Sequence, residues 1–202
     1  MKILHNISSV DQAYGGPLFS MKLIAESQRN FGHEVAIISS VSNEENSMIE
    51  INNNVKVIKI PSISKFRYMK NWENLLFKEF GKPQIIHTYG IWTFHNMIAS
   101  SVAKKYKLPH IIAPCGMLYN TNFNKKTIIP KKIIWRIFQN KALLNANIIH
   151  SKSEAEYNNI IKVMPKIDKN KVKVIPNPIE LVKSYETNYD LGLDNILKSK
   201  KY

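Results

Sequence analysis

Gly15, Gly16 and Pro17 are the residues of this chain best placed to hold a charged group. They fall between an apolar run, residues 2–7 (KILHNI), and a helical pattern over residues 17–26. Proline suits the first helical position, where a missing N–H costs nothing and φ is already helical. Glycines just before it let backbone N–H groups come close to a bound group. Free donors and the helix dipole at such a start favour an anion such as phosphate. The same pair could equally serve only to make the strand-to-helix turn. Neither the dinucleotide fingerprint G-x-G-x-x-G nor a Walker P-loop occurs. A thiol nucleophile would need a paired base and a lowered pKa, so the single cysteine, Cys115, is expected to be buried and inert. His5, His33, His110 and His150 show no metal-ligand spacing with one another or with Cys115, and no metal and no cofactor is expected. Residues 125–141 interleave lysines and Arg136 with Ile128, Ile129, Ile133, Ile134, Trp135 and Phe138. A basic amphipathic helix of that kind could lie on an anionic membrane, with Lys131, Lys132, Trp135 and Arg136 facing it, or could cover a sheet with its lysines in water.

Seven strand-like runs position these groups: 2–7, 34–39, 55–60, 84–89, 110–114, 147–151 and 172–176. Most are near-continuously apolar, and helical patterns separate them, over 64–80, 94–106 and 130–146 among others. Gly32 marks the end of the first helix, and Ser153 followed by Glu156 marks the start of the last. The expectation is an α/β fold: a doubly wound, mostly parallel Rossmann-like sheet of about seven strands, helices on both faces, and ligands at the carboxyl ends of the strands. Residues 1–181 form this domain, and the polar residues 182–202 read as a linker or tail.

The 202 residues fit one α/β domain, at 44% hydrophobic and with no low-complexity tract. No apolar stretch reaches the roughly 20 residues that span a bilayer, and the N-terminus lacks signal-peptide character. One cysteine excludes an intrachain disulfide, in keeping with a cytoplasmic protein. The net charge of +14 implies attraction to anions: lipid headgroups, phosphorylated substrates or nucleic acid. Nucleic acid is not expected as a partner, because no stacking or groove-reading module accompanies the charge.

Six segments, in order, resemble the N-terminal half of a GT-B glycosyltransferase, and glycosyltransferase family 4 in particular. They are Gly15-Gly16-Pro17, residues 87–92 (HTYGIW), residues 113–118 (APCGML), Trp135 with Ala142-Leu143, residues 150–154 (HSKSE) and residues 174–179 (VIPNPI). The resemblance covers about residues 1–181. Such enzymes close two Rossmann-like domains on a cleft, the first holding the acceptor and the second the nucleotide-sugar donor. The resemblance implies that Gly15, Gly16 and Pro17 form the donor-phosphate and acceptor loop. It implies His87 as a catalytic candidate, and Tyr89, Trp92, Cys115, Gly116 and Met117 as acceptor-binding candidates. His87 could hydrogen-bond an acceptor hydroxyl or sit in the core, and Trp92 could stack on a sugar or pack under the next helix. Tyr89 stands where relatives carry a second histidine, and Cys115 where they carry His or Arg. Glu154 is expected to help cap its helix before serving any site.

The implied reaction moves a sugar from a nucleotide-sugar donor to a glycan or lipid-linked acceptor in surface-polysaccharide synthesis, with retention and without a metal. The donor domain's E-x7-E motif has no credible counterpart, since Glu26 and Glu34 straddle Gly32. The expectation is therefore a chain that lacks the donor-binding C-terminal domain, through which the nucleotide sugar would bind, and that is inactive alone. The rival readings are a non-catalytic subunit of a two-chain transferase and an inactive truncated gene product. A cytoplasmic location, possible at the inner face of the membrane as a peripheral protein, follows from the same resemblance.

Overall fold

The computed structural model describes residues 1–41, 49–51, 54–62, 66–119 and 133–179. Its strands are β1 (Lys2–Ile7), β2 (Glu34–Val41), β3 (Lys56–Pro61), β4 (Ile85–Tyr89), β5 (His110–Ala113), β6 (Ile148–Ser151) and β7 (Val172–Val174). They form one parallel sheet in the order β3-β2-β1-β4-β5-β6-β7. The expected α/β, Rossmann-like fold is borne out. The winding reverses between β1 and β4, which places the topological switch point at their carboxyl ends.

The helices are α1 (Gly16–Asn30), α2 (Trp72–Glu79), α3 (Phe94–Tyr106), α4 (Asn140–Asn145) and α5 (Glu154–Val163). A π-helical turn, Trp135–Gln139, leads into α4. Because side chains alternate across a strand, each strand feeds two cores. Leu4, Ala36, Ile38 and Ile86 pack with Trp72 and Leu76 of α2 and Ala99 and Val102 of α3. Further along the same face, Ile112 and Ile149 meet Ala142 and Leu143 of α4 and Ile160 of α5. The opposite face, with Ile7, Val35, Ile37 and Tyr89, is covered by Leu18, Met21 and Ala25 of α1. Each fully buried Leu, Ile or Met contributes about 1.5–3 kcal/mol.

One expected helix needs correction. The apolar periodicity over 64–80 predicts one helix, yet helix begins only at Trp72. Arg67 and Asn71 adopt left-handed backbone, at φ 56° and 60°, and Ser62 pairs with Met69 in an isolated antiparallel bridge. Met69 and Trp72 are still buried, so the periodicity recorded burial rather than helix. The expected helix over 130–146 is helical from residue 133, with residues 130–132 outside the described set. The turn expected at 52–54 lies partly, and the tail 182–202 wholly, outside it as well.

Candidate functional site

Four connections converge where β1 and β4 end. After β1, Asp11 caps a short 3-10 turn, Gln12–Tyr14, by accepting from the Ala13 N–H at 2.8 Å. Gly15 follows at φ 76°, and α1 starts at Gly16 with Pro17 in its first turn. The Gly15 N–H is donated to the Gln12 carbonyl at 3.1 Å, so this amide serves the turn. Gly16 heads the helix, where N–H groups have no intrahelical partner. A Cβ at Gly15 or Gly16 would meet nothing within 4 Å, so the loop faces open space.

After β4 comes Gly90, at φ 83°. A Cβ there would lie 2.9 Å from the Tyr14 hydroxyl and 3.1 Å from Met117 Cε. The left-handed backbone at Gly90 favours glycine, and side chains from the loops following β1 and β5 lie against it. Trp92 also has left-handed backbone (φ 78°), and its indole N–H donates to the Met117 carbonyl at 3.2 Å. Its ring packs 5.8 Å from that of Trp135. Trp92 is thus held half-buried under the π-helical turn, and Trp135 faces inward rather than sharing the exposed side with Arg136.

After β5, Cys115 and Gly116 are both left-handed, at φ 55° and 76°. Burial pushes the Cys115 thiol above its ordinary pKa, and the thiol donates to the Ala113 carbonyl at 3.3 Å. The loop is pinned by Glu156, whose significance is not apparent from the sequence. Ser153 caps α5 as expected, accepting from the Glu156 N–H at 3.2 Å. The Glu156 carboxylate does not return to Ser153. It accepts from the Gly116 N–H at 2.6 Å and from the Lys152 N–H at 2.7 Å, and it is buried. Glu154, the expected capping partner, is exposed.

Arg67, also missed, reaches in from the segment after β3. Its guanidinium donates to the Ser8 carbonyl at 3.1 Å and lies 3.2 Å from Ser40 Oγ, at the carboxyl ends of β1 and β2. Its neighbour Tyr68 is half-exposed and packs 4.6 Å from the Phe94 ring. An arginine concealed in an apparent helical pattern gives no sequence signal of this placement.

His87 sits mid-strand in β4, not at its end, and is buried. Its Nδ1 lies 3.0 Å from the Tyr89 hydroxyl and its Nε2 3.3 Å from His150 Nδ1, so both ring nitrogens are engaged inside the protein. Burial, with His5 and His150 adding to it, holds its pKa well below the usual histidine value. Tyr89 has no exposed surface, and its hydroxyl also lies 3.2 Å from His5 Nδ1. The structure therefore brings Gly15, Gly16, Pro17, Trp92, Cys115, Gly116 and Met117 to one edge and places His87 and Tyr89 in the layer beneath. Among the described residues no group of three His, Cys, Asp or Glu could hold a metal ion.

Ile133, Ile137 and Phe138 are about half exposed, beside exposed Arg136. Residues 131 and 132 lie outside the described set. Among the described residues no helix is long and apolar enough to cross a membrane.

The model of Glycosyltransferase Family 4 matches residues 14–183. Among solved structures, that of Anabaena Alr3699/HepE in complex with UDP is similar, at 13% identity and a TM-score of 0.55, over 89% of this chain and 45% of that one. The UDP-glucose complex of the same Anabaena protein matches at 11% identity and a TM-score of 0.55, with the same coverage. Likeness at this identity shows the fold. The chain spans less than half the length of these neighbours. No curated protein matches it.

Proposed function

Since the chain belongs to glycosyltransferase family 4, we propose that it forms the acceptor side of an enzyme moving a sugar from a nucleotide-sugar donor to a glycan or lipid-linked acceptor. The observation that carries this is the open, glycine-lipped start of α1 at the switch point of the sheet. There, the Gly16 N–H and the helix dipole can stabilise charge building on a leaving phosphate, which is electrostatic assistance without a side-chain acid. In this reading the loop bearing Cys115, Gly116 and Met117, together with Trp92, borders the acceptor, the glycine loop meets the donor diphosphate, and a facing domain holds the nucleoside. His87 and Tyr89 support the floor beneath. The donor phosphate can take the proton of the incoming hydroxyl, so no metal and no further cofactor enters. Assembly of a surface polysaccharide fits the family and the positive charge.

The UDP-glucose bound by the Anabaena neighbour supplies the probe. Titrating the 15N-labelled protein with UDP-glucose is expected to shift the Gly15 and Gly16 amides. Unchanged amides there, up to millimolar ligand, would overturn the reading.

A second observation favours contact with an anionic membrane, at its inner, cytoplasmic face. Ile133, Ile137 and Phe138 present an apolar side next to Arg136 on a chain of net charge +14. Co-sedimentation with phosphatidylglycerol vesicles but not with phosphatidylcholine vesicles is expected, weakened in an Ile137→Ser, Phe138→Ser variant. Equal binding to both vesicles would reject the contact.

A further inference from the structure

Beneath the cleft, on the α1 side of the sheet, a row of polar groups joins α1 to the residue after β7. Gln28 Oε1 lies 2.7 Å from His5 Nε2. His5 Nδ1 lies 3.2 Å from the Tyr89 hydroxyl, and that hydroxyl 3.0 Å from His87 Nδ1. His87 Nε2 lies 3.3 Å from His150 Nδ1, and His150 Nε2 lies 2.8 Å from the Ile175 carbonyl. All four ring-bearing residues of the row are buried.

Each hydrogen bond uses one proton. A neutral imidazole brings one and a phenol brings one, while carbonyl oxygens bring none. Three imidazoles and one phenol therefore supply four protons to a row of five links that ends in an oxygen on each side. We infer that the row is a binding site for a single proton: when it is neutral the Gln28 carboxamide turns so that its nitrogen donates to His5, and when one proton enters, the carboxamide turns back and accepts. Burying two lone pairs against each other costs too much for the fifth link to stay empty.

The Ile175 carbonyl sets the direction of the neutral row. It requires the proton of His150 on Nε2, hence that of His87 on Nε2, the Tyr89 hydroxyl donating to His87, and the proton of His5 on Nδ1. Cys115 faces Tyr89 in this row. Lys152 and His110 face His87, and Lys152 and Glu156 face His150. Lys152 opposes the extra proton and Glu156 favours it, at the end nearer the loops after β5 and β6. The far end is Gln28, in the last turn of α1. A proton entering at His150 is thus registered at α1 as a turned amide, with no other heavy atom required to move. This inference stands whether or not the protein transfers sugar.

Long-range 1H–15N spectra of histidine-labelled protein read each tautomer directly. At pH 7.5 the expected pattern is Nε2–H for His87 and His150 and Nδ1–H for His5. His5 protonated on Nε2 with His150 bare at Nε2 would overturn the inference. Gln28→Glu replaces the turning amide by a fixed anionic acceptor. It is expected to draw the fifth proton in more readily, raising the midpoint of the row by about 1–3 pH units over that of the parent. A midpoint in folded Gln28→Glu no higher than that of the parent would also overturn it. If that variant fails to fold, Gln28→Leu is expected to keep the His87 and His150 tautomers while His5 exchanges its proton between both nitrogens; a fixed Nε2–H on His5 there would sink the inference.

Discussion

Lowering the pH from 7.5 to 5 is expected to remove a large share of the folding stability of this protein. Burial holds His5 and His95 at pKa values of about 4 and His110 at about 3, against 6.5 for an exposed histidine. The unfolded chain therefore takes up protons from about pH 6.5 downward, and the folded chain does not until much lower. Stability is complete above the unfolded value and drains away as pH falls through that window. Each pH unit costs about 1.4 kcal/mol per site, so at pH 5 the three sites together cost about 6 kcal/mol. A domain of this size typically has about 5–15 kcal/mol in total. Urea melts at pH 7.5, 6 and 5, followed by far-ultraviolet circular dichroism, test this. A stability at pH 5 within about 1 kcal/mol of that at pH 7.5 would show that these imidazoles titrate like exposed ones.

Glu156→Ala is the substitution expected to do most harm near the cleft. It strips two backbone N–H groups, those of Gly116 and Lys152, of their acceptor. Leaving such a donor unsatisfied costs about 1–3 kcal/mol, so the pair predicts a loss of about 2–6 kcal/mol. Glu156→Gln should fall between, since one amide oxygen can serve only one of the two donors well. The local effect should reach further than the global one. Gly116 leads directly into Met117, whose carbonyl holds the Trp92 indole. Freed from that hold, Trp92 is expected to show a red-shifted, quenched fluorescence, to be read with Trp72 and Trp135 replaced by Phe. A variant as stable as the parent, with Trp92 emission unchanged, would mean that the two loops do not need this staple.

The sheet was legible in the sequence because its strands are apolar on both sides and separated by helix-length segments. The loop of Gly15 and Gly16 was legible too, since Pro17 marks the helix start. Other features depend on relationships that local pattern cannot carry. His5, His87 and His150 meet only because β1, β4 and β6 are brought to neighbouring places in one sheet. Glu156 matches a capping pattern with Ser153, yet its carboxylate is taken by backbone on a different loop. Arg67 lies within an apolar period that suggests helix, whereas Met69 and Trp72 reach the core from an irregular path. In each case a side chain answers to a distant partner, and spacing along the chain is silent about it.

The placement of β1 also bears on how the polypeptide matures as it leaves the ribosome. β1 is made before β2 and pairs with it early, but its other edge waits for β4, with Ile3 opposite Ile85. Until some 80 residues later in the chain, a strand with apolar side chains on both faces offers unpaired backbone to any passing neighbour. Nascent chains stalled before residue 85 should therefore be the ones most in need of chaperones, and the slow step of assembly should be the insertion of β4 beside β1.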